Sequence, residues 1–366
     1  MELTFLDPVY ARPGPYACAY LDTSRDVRDP EAAIRLRRRH LCEDLAQQGA
    51  DKATVAVVSD AAGSDREVSG RHGQAVFASH GQLALVEELP CPPAHDAARF
   101  SALPDVMPLA VQHAPDIPYA AATVHRVAHP ETGAPEELEA DFQTGRWPSS
   151  TVAPETRHHR SGPAAHWPKG AAEIASELAK LVHRTRAEVI VLGGEPWALN
   201  ILVSRMPGPL RGRVVTVAGD GHLAGAGRAL LEQELSEVFR GRKSERDQAR
   251  VEAFRTRRTR HVDAVEGMPA VVAALQRAQA GALLLNTPVD LPLRLWAGSE
   301  PTQIALSSAD LESFGVLGFR EQPPGAALVR ALVRTGAELV VVPREELPLV
   351  DGVAALLRYT DPGVPL

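Results

Sequence analysis

The middle and last thirds of this chain alternate short apolar runs with segments of helical period, and this pattern constrains the fold more than any other feature. Residues 119–124 read as a strand. Ile174, Leu178, Leu181 and Val182 then line one face of a helix from about Ala171, and residues 188–192 form a second strand ending at Gly193 and Gly194. A helix over 197–206 stopped by Pro207-Gly208, a strand over 213–217 and a helix over 228–240 with Leu231, Leu235 and Val238 inward complete the series. Strand, helix, strand, helix predicts a parallel sheet with helices on its faces, so the fold class is α/β. The last third alternates again: helix 269–280, strand 282–286, helix 325–335, strand 338–342 and a closing segment 352–359.

The first third opens on an alternating strand over 16–22, followed by a helix over 30–48. Pro30 suits its first turn, Ile34, Leu41 and Leu45 recur at helical spacing, and Gly49 follows its end. Arg35, Arg37, Arg38, Arg39 and His40 fall on its outward faces. Residues 53–58 read as a strand, and 75–79 and 83–87 as a hairpin joined by His80-Gly81-Gln82. The Pro-rich stretch 90–118 reads as a linker. A chain of 366 residues is long enough for two or three domains.

Charge is unevenly spread. Residues 1–115 carry 11 basic and 16 acidic side chains, residues 116–260 carry 21 and 18, and residues 261–366 carry 7 and 12. A basic middle therefore lies between acidic flanks, and seven of the 13 histidines fall in it, which places any anionic partner there. Apolar runs are far shorter than the roughly 20 residues that cross a bilayer, and the start lacks a secretory pattern, so a cytoplasmic protein without a membrane segment is expected. Cys18, Cys42 and Cys91 are too widely spaced for a disulfide framework or a zinc pair.

Four patterns could carry chemistry. Gly219-Asp220-Gly221-His222-Leu223-Ala224 matches a dinucleotide-binding turn, but it follows a late strand rather than the first, which favours a plain glycine-rich loop. His158, His159 and His166 have neither metal-ligand spacing nor nearby cysteines, so no metal site is expected. The segment 141–169 is long for a connection and rich in Pro, His and Arg. Within it, Arg157, His158, His159, Arg160, Trp167 and Lys169 combine cations with a ring that can stack, the parts of an RNA-contacting loop or equally of a solvated surface loop. Residues 240–260 hold nine basic and three acidic residues, and Arg255, Arg257, Arg258 and Arg260 suit bidentate phosphate contact or a solvated helix face. No catalytic residue, and no G-x-S-x-G or Walker loop, is identifiable.

Four segments together resemble the bacterial archaeo-eukaryotic release factor family of actinobacteria. They are Tyr16-Ala17-Cys18-Ala19-Tyr20-Leu21-Asp22-Thr23-Ser24-Arg25-Asp26, Leu45-Ala46-Gln47-Gln48-Gly49-Ala50, Gly336-Ala337-Glu338-Leu339-Val340 and Asp351-Gly352-Val353-Ala354-Ala355-Leu356-Leu357-Arg358-Tyr359. The resemblance implies a three-domain release-factor/Pelota-like architecture: an N-terminal domain 1–115 reaching the decoding centre, a middle α/β domain 116–255 with a long basic loop, and an α/β/α C-terminal domain 256–366 meeting a translational GTPase. It also implies a ribosome-binding translation factor similar to Balon-type hibernation factors, occupying the A site of the 70S ribosome with elongation factor Tu or another translational GTPase as partner. Contacts to rRNA or tRNA would come from Arg157, His158, His159, Arg160, Trp167 and Lys169, from Arg255, Arg257, Arg258 and Arg260, and from Arg37, Arg38 and Arg39. Hydrolytic relatives carry a Gly-Gly-Gln tip; residues 157–170 have none, and Gly81-Gln82 reads as a turn. A non-catalytic factor without a cofactor is therefore expected, the alternative being a peptidyl-tRNA hydrolase with another tip geometry.

Overall fold

The computed structural model describes residues 1–66, 71–129, 134–148, 157–163, 166–217, 232–291 and 293–359. The chain divides into two compact units, one made of Met1–Ala114 together with Arg246–Leu366 and the other of Pro115–Glu245.

In the first unit, strand Tyr16–Asp22 lies between Gly73–Ser79 and Ala97–Ser101, Gln82–Leu89 pairs beyond Gly73–Ser79, and every pairing is antiparallel. The central strand is buried on both faces because its alternate residues serve two cores. Ala17, Ala19 and Leu21 pack under helices Pro30–Gln47 and Lys52–Ala61, while Tyr16, Cys18 and Tyr20 join a core with Leu283, Leu328 and Leu339 from the last part of the chain. The first and last segments thus share one apolar interior.

Two local expectations change here. Residues 53–58 lie in a helix, Lys52–Ala61, rather than a strand, because Asp51 caps it by accepting from the Thr54 amide at 3.0 Å and the Thr54 hydroxyl at 2.6 Å. The valines that suggested a strand instead supply the buried stripe of that helix through Val58. The stretch 90–118 is not a linker: it holds strand Ala97–Ser101 and helix Met107–Gln112, whose proline sits in the first turn, where it costs no hydrogen bond. The hairpin turn is His80-Gly81, with φ of +48° and +71°.

The closing part of this unit is layered. Its sheet runs Ala264–Glu266, Val353–Leu357, Ala280–Thr287, Glu338–Pro343, with only the last two strands parallel. Helix Glu245–Arg260 covers one face through Val251 and Phe254, and helices Met268–Gln276 and Pro324–Thr335 cover the other, an α/β/α arrangement. A small antiparallel sheet of Leu295–Ala297, Ile304–Ala305 and Arg320–Gln322 sits beside it.

The second unit is a five-stranded mixed sheet ordered Arg157–Pro163, Ala134–Trp147, Ile117–His129, Val189–Gly194, Val214–Val217. The last two pairings are parallel, as the alternation predicts, but the first two are antiparallel. Helices Trp167–Thr185 and Pro196–Arg205 pack on one face around Ile174, Leu178 and Leu202; helix Glu232–Phe239 packs on the other through Leu235 and Phe239. At the end of strand Val189–Gly194, Gly194 adopts φ +116°, and a Cβ there would stand 1.9 Å from the Val124 carbonyl oxygen, so only glycine fits.

Candidate nucleic-acid interface

The described residues of the long polar segment 141–169 are largely regular. Arg157–Pro163 is a strand at the end of the sheet order, paired antiparallel with Ala134–Trp147, where Arg157 stands opposite Phe142, His158 opposite Asp141, His159 opposite Ala140 and Arg160 opposite Glu139. Pairing to a long neighbouring strand orders these residues, which their composition alone reads as loop. Helix Trp167–Thr185 begins four residues beyond this strand's Pro163, with His166 and Lys169 exposed at its start.

Trp167 is the correction in this group. Its side chain is fully buried against the helix Pro196–Arg205, and its indole nitrogen donates to the Ala198 carbonyl at 3.0 Å. A ring held there cannot stack on a base; the apolar run that follows it in the helix is the signal that it belongs to the core.

The other cations divide by their partners. Arg37 donates to Asp22 at 3.0 Å and lies 3.4 Å from Asp96, tying its helix to the sheet rather than facing an outside anion. Arg38 and Arg39 have no carboxylate within 4.0 Å among the described residues. On helix Glu245–Arg260, Arg258 pairs with Glu266 at 3.0 Å, Arg257 donates to the Leu357 carbonyl at 3.1 Å, and Arg255 lies 3.7 Å from both Glu252 and Glu346. Arg260 is exposed at the helix end, and among the described residues no carboxylate lies within 4.0 Å of it. Further back, Arg246 and Arg250 both hold Glu338, at 2.8 and 2.7 Å. Burial pushes the Glu338 carboxyl up, but the hydrogen bonds from Arg250 and Arg246 outweigh it and leave it below the usual carboxylate range.

One polar cluster was not legible in sequence. On the sheet face opposite helix Trp167–Thr185, His125 has its Nε2 3.8 Å from Glu139 and its Nδ1 3.7 Å from Asp141, a carboxylate with no solvent exposure. Beside it, Gln143 donates to the Tyr119 hydroxyl at 2.7 Å. The residues come together because antiparallel register sets His125 opposite Glu139 and Thr123 opposite Asp141; only the alternation of 139, 141 and 143 along one strand hinted at it.

The Gly219 to Ala224 motif lies outside the described residues. Among the described residues, no group of three His, Cys, Asp or Glu side chains could hold a metal ion, and no helix is long and apolar enough to cross a membrane.

Residues 118–260 match the model of the bacterial archaeo-eukaryotic release factor family 2. Two uncharacterized proteins of Mycobacterium tuberculosis, MT2704 of strain CDC 1551 and Rv2629 of strain H37Rv, are each 25% identical over 374 residues, spanning 95% of this chain and 94% of theirs. Among solved structures, Archaeoglobus fulgidus Pelota is similar over 80% of both chains at 14% identity and a TM-score of 0.38. Saccharomyces cerevisiae Dom34, described as a translation termination-like factor interacting with Hbs1, is similar over 80% of this chain and 82% of its own, at 12% identity and a TM-score of 0.34.

Proposed function

We propose that this chain, whose residues 118–260 match the model of the bacterial archaeo-eukaryotic release factor family 2, is a ribosome-binding translation factor that occupies the A site without catalysing peptide release, in the manner of a hibernation factor. The observation that carries this reading is the strand Arg157–Pro163: four consecutive basic or imidazole residues held on an ordered backbone inside the matched segment, followed by exposed His166 and Lys169. A backbone already ordered in a strand meets a phosphate backbone with less ordering cost than a loose loop, and each phosphate neutralised releases counterions. Arg157, His158, His159, Arg160 and Lys169 form the proposed contact in this unit, with Arg38, Arg39 and Arg260 as cations of the other unit. The absence of a Gly-Gly-Gln sequence anywhere in the chain supports occupation over hydrolysis. The acidic last segment, with 7 basic against 12 acidic residues, suits a translational GTPase such as elongation factor Tu as partner, and the proposed place of action is the cytoplasm.

The test is co-sedimentation with vacant 70S ribosomes over a salt series, with peptide release from bound peptidyl-tRNA followed in the same samples. Binding should weaken steeply with salt, and the R157E/R160E variant should flatten the log–log salt slope by about 1.4–1.8, from a loss of roughly 0.7–0.9 for each of two phosphate contacts. Unchanged binding by that variant removes the strand from the interface. Peptide release by the wild-type protein replaces the non-catalytic reading with a peptidyl-tRNA hydrolase.

A further inference from the structure

The first unit contains a cleft of about 570 Å³ whose lining is strongly cationic, with Arg12, Arg320, Arg330 and Arg334 against a single acidic residue, Glu300, and with Tyr10 beside them. The residues come from distant parts of one compact unit, with Tyr10 and Arg12 ahead of the first strand and Arg330 and Arg334 on helix Pro324–Thr335.

Arg330 is the unusual member. It is 8% exposed, and among the described residues no carboxylate lies within 4.0 Å of it. Its Nη1 donates to the Gly298 carbonyl at 3.0 Å and its Nη2 to the Glu300 carbonyl at 3.1 Å, while its Nε has no acceptor. Two carbonyl dipoles orient a guanidinium without neutralising it, and a buried cation with no carboxylate in direct contact is expensive. The Tyr10 hydroxyl in the same cleft is also buried without a partner. Burial raises the Tyr10 phenol well above its ordinary value, so it remains a proton donor. Both orphan groups are therefore donors, and both require an acceptor that the protein does not supply. Arg320 and Arg334 are exposed at the rim, and among the described residues no carboxylate lies within 4.0 Å of either.

We infer that this cleft is a binding site for a small phosphorylated molecule carrying at least two negative charges. A single carboxylate would satisfy one guanidinium fork; four arginines around a volume typical of small-ligand pockets match the many oxygens of a phosphate chain, which guanidinium groups bind in bidentate fashion. The concave setting favours a small ligand over a nucleic-acid backbone, which needs a long open track. Arg330 and Tyr10 ground the ligand at the base of the cleft, and Arg320 and Arg334 close on it from the rim. The site is separate from the strand Arg157–Pro163 and does not depend on the proposed ribosomal role.

The experiment is isothermal titration calorimetry of the full-length protein with inorganic pyrophosphate and with ADP at constant ionic strength. One saturable site is expected, weakened at least tenfold in R320Q and in R334Q, whose exposed positions leave the fold intact, and abolished in R330Q. Should R330Q fail to fold, Y10F reads the base of the cleft instead, with an expected loss of about threefold to tenfold. Absence of saturable binding of both probes overturns the inference, as does wild-type affinity in R320Q and R334Q. Displacement of pyrophosphate by a short RNA at equal phosphate concentration overturns the small-molecule assignment in favour of a nucleic-acid contact. Unchanged ribosome co-sedimentation by R320Q confirms that the cleft acts apart from the proposed interface.

Discussion

Replacing Trp167 separates the core from the interface. Its indole is fully buried between the sheet and helix Pro196–Arg205 and donates one hydrogen bond, to the Ala198 carbonyl at 3.0 Å. Trp167→Phe keeps an aromatic ring there but loses that bond, worth about 1 kcal/mol, and leaves a small void costing roughly another 1 kcal/mol. Trp167→Ala removes the whole ring, at a cost of about 3–5 kcal/mol. For a unit of this size each kcal/mol lowers the melting temperature by roughly 3–5 °C, so the expected drops are about 6–10 °C for Phe and roughly 9–25 °C for Ala. Differential scanning calorimetry of the full-length protein measures both, with ribosome co-sedimentation of the Phe variant at 25 °C alongside. The reasoning predicts lower stability with unchanged ribosome affinity. A Phe variant that melts like the wild type yet binds ribosomes more weakly refutes it, because the ring would then be working at an interface and not in the core.

Two further tests address the frame that holds the site. Glu338, held by Arg246 and Arg250 with its pKa lowered, contributes stability that is present above its unfolded value of about 4.3 and is lost as the pH falls through the folded value. With its arginine partners almost half exposed, Glu338→Gln should cost about 1–2 kcal/mol at pH 7 in urea titrations, with the difference from wild type shrinking as the pH falls below the usual carboxylate range; a pH-independent difference would mean that the ion pairs are not its source. Gly194→Ala forces a Cβ against the Val124 carbonyl oxygen at φ +116°, so about 3 kcal/mol or more should be lost and limited proteolysis should cut the Pro115–Glu245 unit readily. A melting temperature within 2 °C of wild type, a shift of well under 1 kcal/mol, would exclude the close approach of these two strands.

The alternation of apolar runs was sufficient to place about half of the described strands and most of the long helices, because each of these elements carries its own periodicity and its own stops. Pro30 and Pro324 sit in first turns, and Gly336 follows a helix at φ +62°. Elements that depend on partners far away in sequence were less legible. Strand Ala97–Ser101 looks like linker until Tyr16–Asp22 pairs with it, and strand Arg157–Pro163 looks like loop until Ala134–Trp147 does. Residues 53–58 misled in the opposite sense, since a run of valines suits either state and the Asp51 cap decided it. The cationic cleft was invisible for the same reason as the hidden strands: Arg12 and Arg330 meet only when the first and last segments share a core.

The same argument governs the charge pattern, which is where sequence most overstates an interface. Residues 240–260 read as a basic arm, yet their arginines answer carboxylates beyond the segment: Arg246 and Arg250 meet Glu338 and Arg255 meets Glu346, far along the chain, and Arg258 meets the nearer Glu266. Those three glutamates belong to the stretch counted as an acidic flank. Part of the contrast between a basic middle and an acidic end is therefore one complementary pair of surfaces closing the helix Glu245–Arg260 onto its own sheet, a match the folded chain makes internally. Cations spent in this way add little to attraction for an outside polyanion, because the paired carboxylate cancels most of the field within a Debye length of about 8–10 Å. A charge count over a segment thus sets an upper bound on its pull toward RNA, and the cations still free to act must be found one partner at a time. By that measure Arg38, Arg39, Lys169 and Arg260 keep an outward charge, while Arg37, Arg255 and Arg258 do not.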